Sequence, residues 1–127
     1  MIHKMHLHDS PFVAIKSGSK TIELRLNDEK RRLIKTGDHI LFSMSSDEHE
    51  TVLVEVIGIQ IFQNFNELYQ TVPLDQCGYQ EKNIHLASAK DMLPYYSIEK
   101  QTQFGVLAIE IKLLGQREDL VSFKDIK

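Results

Sequence analysis

Three charged side chains close together are the strongest chemical signal in this sequence. The segment 17–28 reads SGSKTIELRLND and contains Lys20, Glu23 and Arg25. In a β-strand, Thr21, Glu23 and Arg25 would lie on one face, because successive side chains point to opposite sides of the strand. A hydroxyl, a carboxylate and a guanidinium would then be neighbours, with Lys20 at the start of the strand.

This arrangement has two interpretations. On a solvated face, Glu23 and Arg25 form an exposed ion pair, which contributes only about 0–1 kcal/mol. In a cleft, the pair is partly desolvated and Lys20 could act as a base or as a nucleophile, since burial disfavours its charged form. Glu23 would then hold Lys20 or position water, and Arg25 would stabilise developing negative charge. Lys20 and Glu23 are therefore the candidate catalytic residues.

Other familiar catalytic and cofactor signals are missing from the sequence. It contains neither G-x-G-x-x-G nor a P-loop. Cys77 is the single cysteine and has no basic neighbour in sequence closer than Lys82, which indicates an inert thiol. His3, His6 and His8 could bind zinc, although terminal histidines are more often exposed and unpaired. We expect no metal and no cofactor.

The basic side chains are concentrated in the first third of the sequence. The net charge is −3, but residues 1–40 carry eight Lys/Arg against five Asp/Glu. Residues 16–35 alone contain seven basic and three acidic side chains. Such a patch on an acidic chain could attract a phosphate or a short RNA, or could be a solvated face. The net charge of −3 predicts a weak, salt-sensitive affinity for long nucleic acid.

Further side chains could extend such a site. Tyr95, Tyr96 and Phe104 are candidates for stacking on bases, although Phe104 begins an apolar strand and core packing is its simpler role. The basic residues that could follow a nucleic-acid backbone are Lys16, Lys30, Arg31 and Arg32.

Short helices and strands must position these residues. Asp9 or Ser10 is expected to cap a first helix with Pro11 in its first turn and Gly18 at its exit. Alternation and β-branched runs predict strands at 20–26, 39–44, 51–62 and 103–114, with burial on both faces of 51–62, a bulge at Gly58 and a loop at 45–50. A second helix is predicted at 64–72, capped by Asn64 or Asn66. A third is predicted at 85–96, with Leu86, Ala89 and Leu93 on one side. The tail 115–127 would be an edge strand or a flap. This order favours an α+β fold with a small, mostly antiparallel sheet or barrel and flanking short helices.

Length and composition describe one domain. The 127 residues with a hydrophobic fraction of 42% are enough for a single core. No apolar run approaches the ~20 residues of a membrane helix, and the first ten residues, MIHKMHLHDS, lack a signal-peptide core. A lone cysteine fits a reducing compartment, so we expect a cytoplasmic protein without membrane contact.

The same charged residues match a family pattern. The chain resembles the ASCH domain, a relative of PUA domains, whose hallmark is G-x-K-x-x-E-x-R on the strand after a short helix, followed by a Gly-Asp turn. Gly18, Lys20, Glu23 and Arg25 fill the hallmark, and 35–38 (Lys-Thr-Gly-Asp) matches the turn. The ending Tyr96…Gln103-Phe104-Gly105-Val106-Leu107-Ala108-Ile109 is also similar. The expected domain is 1–127, with 115–127 as a C-terminal extension.

The resemblance implies a PUA-like β-barrel and a cleft beside the hallmark strand that binds RNA or a nucleotide-like ligand. With the residue analysis, it predicts a ligand-binding set of Lys20, Thr21, Glu23, Arg25 and Tyr96.

The resemblance also implies an alternative, a hydrolase acting on RNA or on a modified nucleoside. One group of relatives deacetylates N4-acetylcytidine and carries G-x-K-T-x-T-x-R. This chain keeps Lys20, Thr21 and Arg25, but Glu23 stands where that group has its second threonine, and the partner glutamate would fall near Glu81. Lys20 would be the base. A third interpretation is a protein-interaction domain whose tail, 117–126, docks a partner.

Overall fold

Five β-strands and three α-helices make up residues 1–116, which are the residues that the structure, a computed structural model, describes. The strands are β1 (Ile2–Leu7), β2 (Ile22–Leu26), β3 (His39–Met44), β4 (Asp47–Phe62) and β5 (Val106–Gln116). The α-helices are α1 (Asp9–Lys16), α2 (Phe65–Thr71) and α3 (Ile98–Phe104). Short 3-10 helices occupy Arg31–Leu33, Leu74–Gln76, Ile84–Leu86 and Ala89–Met92.

The strands form one mixed sheet that curls into a half-barrel, in the order β1-β3-β4-β5-β2. Only β1 and β3 pair in parallel; the other three pairings are antiparallel. The predicted α+β, PUA-like fold with a mostly antiparallel sheet and flanking helices is therefore confirmed.

Apolar side chains are buried on both faces of β5. Leu107 and Ile109 belong to one hydrophobic cluster with Phe12 of α1, whereas Val106 and Ala108 belong to a second cluster. Since neighbouring side chains of a strand point in opposite directions, the two clusters lie on opposite faces of this strand. This double burial makes β5 a rigid support for the strand β2 that pairs with it.

The connection from α1 to β2 follows the sequence prediction closely. Phe12 and Ile15 are buried, and Gly18 adopts φ +86°, which favours glycine at a helix exit. The helix begins one residue earlier than expected, with the extended residue His8 at the N-cap and Asp9 in the first turn. The predicted cap at Asp9 or Ser10 is therefore wrong.

The prediction of a continuous helix at 85–96 is wrong. Two 3-10 helices replace it, and Leu86 and Leu93 are exposed rather than packed on one side. The Ser88 side chain accepts a hydrogen bond from the Lys90 amide and forms a capping box with Asp91, which starts a new turn in the middle of the segment. A serine that satisfies nearby backbone groups in this way competes with a continuous helix.

Two elements were not predicted. β1 is a strand whose Met5 and Leu7 enter the core, and α3 begins after Ser97, whose side chain accepts a hydrogen bond from the Lys100 amide. Ile98 in α3 is exposed, so this helix lacks the apolar stripe that would have revealed it.

β4 differs in part from its prediction. Its register shifts between Val56 and Gly58, as expected for a bulge. Burial on both faces holds around Val54, but Ile57 and Ile61 are exposed. The strand also begins at Asp47, so most of the loop predicted at 45–50 is strand.

The C-terminal prediction is only partly within the described residues. The predicted extension, 115–127, starts inside β5, and residues 117–127, including the proposed edge strand, flap or docking tail, lie outside them. Among the helices of residues 1–116, none is long and apolar enough to cross a membrane.

Candidate functional site

Lys20 and Arg25 both contact the carboxylate of Glu23. Lys20 Nζ lies 3.0 Å from Glu23 Oε1, and Arg25 Nε donates a hydrogen bond of 2.8 Å to Glu23 Oε2. The side chains are buried, with exposed fractions of 8% for Lys20, 5% for Glu23 and 12% for Arg25. The interpretation as a solvated surface pair is therefore wrong, and we call these three residues the ion triad.

The ion triad is positioned by β2 and by the turn before it. Glu23 and Arg25 are held in register opposite Ile109 and Leu107 of β5. The Lys20 amide donates to the Ala14 carbonyl oxygen of α1, which turns the lysine into the strand at the helix exit. The side chains of this short stretch are thus aimed by backbone hydrogen bonds rather than by their own charges.

The loop at 77–78 holds the Lys20 side chain. Lys20 Nζ donates a hydrogen bond of 3.1 Å to the Cys77 carbonyl oxygen. Gly78 has φ +105°, and a Cβ placed there would lie 3.4 Å from Lys20 Cδ. A glycine therefore lets this backbone turn close beside the lysine.

The electrostatics of the ion triad favour its charged state. Burial raises the pKa of Glu23, but the nearby charges and hydrogen bonds of Lys20 and Arg25 outweigh burial and leave this pKa below its ordinary value. Burial lowers the pKa of Arg25, while the Glu23 carboxylate and the neighbouring Tyr96 hydroxyl raise it, with a net increase. The triad therefore carries two positive charges and one negative charge.

The ion triad lines a pocket of about 410 Å³. Tyr96, the predicted stacking residue, also lines it, as does Tyr95. The remaining walls come from the end of β1, from α1, from α2 and from residues 77–92. The pocket thus brings together four of the five predicted ligand-binding residues: Lys20, Glu23, Arg25 and Tyr96.

Thr21 is the predicted ligand-binding residue that the structure does not bring into the pocket. It precedes β2, and its hydroxyl donates a hydrogen bond of 3.0 Å to Gln76 Oε1. Thr21 is not among the residues that line the pocket. The lining also excludes Glu81, the position nearest to the partner glutamate of the deacetylases.

The other residues proposed to extend the site are dispersed. The Phe104 ring packs under Arg32, whose guanidinium carbon lies 5.9 Å from the ring centre, and lines a separate groove. Arg31 pairs with Asp28 at 2.6 Å. Lys16, Lys30, Arg31 and Arg32 do not line the pocket.

Among the terminal histidines, His3 is separated from His6 and His8. His3 Nε2 lies 2.8 Å from Asp38 Oδ2, whereas His6 and His8 line the pocket. Arg25 Nη2 donates a hydrogen bond of 2.9 Å to the His6 carbonyl oxygen, so this strand end helps to orient the guanidinium. Within residues 1–116, no three His, Cys, Asp or Glu side chains are grouped so that they could hold a metal ion.

The Cys77 thiol has the properties of an unreactive group. Burial raises its pKa to about 11, against the opposing effect of the Lys20 charge. A thiol with this pKa is protonated at neutral pH and is a poor nucleophile.

The pocket contains a second polar group that the sequence patterns did not predict. Tyr69, Tyr79 and Asp91 line it, and their side chains are joined by short hydrogen bonds. They are spread over a helix and an irregular segment, with no recurring spacing in the sequence that could have linked them.

Comparisons with known proteins identify the family of this chain. A family model described as the ASCH domain matches residues 5–115. The crystal structure of hypothetical protein PH0355 is 33% identical, with a TM-score of 0.74 over 90% of this chain and 100% of that chain. The solution structure of protein PF0455 from Pyrococcus furiosus is 31% identical, with a TM-score of 0.65 over 90% of this chain and 98% of that one.

A more distant structure shares the fold. The ASCH protein from Zymomonas mobilis is 15% identical, with a TM-score of 0.61 over 87% of this chain and 66% of that chain. No curated protein matches the sequence. The hallmark residues Gly18, Lys20, Glu23 and Arg25 lie within the matched range, and the chain belongs to the ASCH domain family.

Proposed function

We propose that the pocket binds one nucleoside unit, either as a free nucleotide-like ligand or within an RNA. The observation that carries this proposal is the buried ion triad in the wall of a pocket of about 410 Å³. Pockets of about 300–1,000 Å³ suit small ligands.

The ion triad has hydrogen-bond donors to spare. Of the three donors of Lys20, two are used by Glu23 and the Cys77 carbonyl. Of the five donors of Arg25, one binds Glu23, one binds the His6 carbonyl and one faces the Tyr96 hydroxyl. The remaining donors, together with a net charge of one positive unit, suit a phosphate oxygen or a carbonyl of a base.

Aromatic rings in the pocket supply surfaces for stacking. The Tyr96 ring stacks at 6.0 Å on Phe65, which fixes its plane. Tyr95 is 58% exposed and lies 5.9 Å from the His8 ring. Single-stranded RNA and free nucleosides offer unstacked bases that bind such rings, whereas the bases of a duplex are already stacked.

The hydrolase alternative has less support from the geometry. A base needs a free amine, and Lys20 Nζ is engaged by the Glu23 carboxylate at 3.0 Å, which favours the ammonium form. A free lysine amine would require Glu23 to pair with Arg25 alone, but Glu23 Oε1 also contacts Lys20 Nζ. We therefore propose binding rather than base catalysis by Lys20.

Calorimetric titration with ribonucleoside monophosphates and with a short single-stranded RNA tests the proposal. Lys20→Met should weaken binding about tenfold or more, because it removes a charged donor. Lys112→Met, on an exposed residue of β5 away from the pocket, is the matched control and should bind as the unmodified protein does. Much tighter binding of the RNA than of the monophosphates would identify RNA as the source of the nucleoside.

Two outcomes would contradict the proposal. One is that no probe binds the unmodified protein, and the other is that Lys20→Met and Lys112→Met behave alike. Incubation with N4-acetylcytidine, followed by chromatography, separates binding from hydrolysis, because release of cytidine that depends on Lys20 would restore the hydrolase alternative.

A further inference from the structure

A chain of hydrogen bonds forms a second polar group in the pocket. The hydroxyl groups of Tyr69 in α2 and of Tyr79 form a hydrogen bond, with their oxygens 2.7 Å apart. The Tyr79 hydroxyl donates a hydrogen bond of 2.6 Å to Asp91 Oδ2, which also accepts from the Ser88 amide at 3.2 Å. All three side chains of this hydrogen-bond chain, Tyr69, Tyr79 and Asp91, line the pocket.

The direction of this chain follows from counting protons. Each tyrosine hydroxyl has a single proton to donate. Tyr79 gives its proton to Asp91, so its oxygen must accept the proton of Tyr69. Burial of Tyr79, with the hydrogen bonds to Asp91 and Tyr69, strongly raises its pKa, so the phenol keeps its proton. The two tyrosines therefore have no donor left for a ligand.

The chain consequently presents only acceptors to a ligand. Asp91 Oδ1 has no hydrogen-bond donor among residues 1–116, and the Tyr69 oxygen likewise accepts nothing there. The ion triad offers free donors of Lys20 and Arg25 in the same pocket. The pocket is therefore chemically polarised, with donors at the triad and acceptors at Asp91.

We propose that Asp91, held in place by Tyr79, recognises an exocyclic amino group on the bound base. The pocket then prefers cytosine and adenine to uracil and hypoxanthine, which carry a carbonyl where the former carry the amine. An amine can donate a hydrogen bond to the free carboxylate oxygen, whereas a carbonyl would place a second acceptor against that oxygen with no proton between them. This inference rests on the proposed binding of a nucleoside.

Matched nucleoside pairs test the preference directly. Cytidine with uridine, and adenosine with inosine, each exchange an amine for a carbonyl on the same ring framework. Calorimetry on the unmodified protein should give cytidine a Kd about tenfold lower than uridine, as expected for one hydrogen bond to a charged group. Adenosine should be preferred to inosine in the same direction.

Variants of Asp91 and Tyr79 test the assignment. Asp91→Asn supplies an amide that can donate to a carbonyl, so the preference for cytidine should vanish or reverse. Tyr79→Phe removes the hydroxyl that positions the carboxylate and should reduce the ratio of cytidine affinity to uridine affinity. Asp75→Asn removes the same charge from an exposed residue outside the pocket and should keep the tenfold preference.

The outcomes separate this inference from the function on which it rests. If the nucleosides bind but cytidine and uridine bind equally, the amino-group inference is wrong and nucleoside binding stands. If Asp91→Asn weakens both nucleosides by the same factor, Asp91 contributes charge rather than recognition, and the inference is again wrong. If none of the nucleosides binds, both the proposed function and this inference fail.

Discussion

Glu23 is the residue on which the site's charges depend. Its carboxylate binds two buried cations, Lys20 and Arg25, and each carboxylate oxygen contacts one of them. Removing one member of a buried ionic group costs more than the group contributes as a whole, because the remaining charges stay buried without compensation. The pocket wall therefore needs all three charges together, although the complete triad adds little net stability to the fold.

Glu23→Gln should lower the free energy of unfolding by about 3 kcal/mol at neutral pH, since it leaves two buried cations without an anion. Urea denaturation followed by circular dichroism measures the change. Glu99→Gln, on an exposed residue of α3, is the control and should change stability by less than about 0.5 kcal/mol. Equal stabilities of the two variants would show that the triad is not a buried ionic group in solution.

The stability lost in Glu23→Gln should also depend on pH. The pKa of Glu23 is lower in the folded protein than in the unfolded chain, so its stabilising effect is complete above the unfolded pKa of about 4.3. The effect is lost as the pH falls through the lower, folded pKa. Urea denaturation at several pH values should therefore show the variant and the unmodified protein converging in acid, and a gap that stays constant would contradict this.

At the scale of elements, the turn from α3 into β5 sets the frame of the site. Gly105 adopts φ +75° and ψ −177°, a region populated almost exclusively by glycine. A Cβ at this position would lie 2.9 Å from the Phe62 carbonyl oxygen. The Gly105 carbonyl also accepts a hydrogen bond from the Asn27 amide, just after β2. This glycine thus connects α3, β4 and the end of the strand that carries the triad.

Gly105→Ala should lower the free energy of unfolding by about 3 kcal/mol, because it adds a backbone clash to an unfavourable conformation. Gly18→Ala is a matched comparison, since Gly18 also has positive φ but has open space where the Cβ would be. Its cost should be about 1 kcal/mol, from conformation alone. Thermal or urea unfolding measures both, and a Gly105→Ala variant no less stable than Gly18→Ala would contradict the role of the turn.

At the scale of the whole molecule, most of the basic residues of 16–35 lie outside the pocket. Only Lys20 and Arg25 line the pocket, and Glu23 neutralises one of these two charges. Arg31 is paired with Asp28. With a net charge of −3 on the chain, the electrostatic attraction for a long RNA is therefore expected to be weak.

The affinity for a single-stranded RNA should accordingly depend only modestly on salt. At most two phosphates can be neutralised in the pocket, so log K against log salt should be no steeper than about −1.4. Fluorescence anisotropy of a labelled RNA at a series of KCl concentrations measures this slope. A slope twice as steep, reduced by Lys30→Ala, would instead show that the RNA backbone contacts the dispersed basic residues.

Local patterns predicted much of the fold. Alternation located β2 and β3. Of the two predicted caps of α2, Asn64 and Asn66, the structure uses Asn64, whose side chain accepts a hydrogen bond from the Glu67 amide. Such signals act within a few residues, so the sequence contains them in full. The helix prediction for 85–96 is wrong because two 3-10 helices satisfy their polar groups locally and leave Leu86 and Leu93 exposed.

By itself, the sequence determined that Glu23 and Arg25 are neighbours, because alternate residues of a strand share a face. It also placed Lys20 at the start of the same strand, and the hallmark motif indicated the family. Only the tertiary structure decided that these charges are buried, that Thr21 turns away to Gln76, and that Asp91 reaches the same pocket. The physical reason is distance along the chain. Spacing governs contacts within one element, whereas burial and the pairing of remote side chains depend on how the curled sheet packs against the segments that cover it.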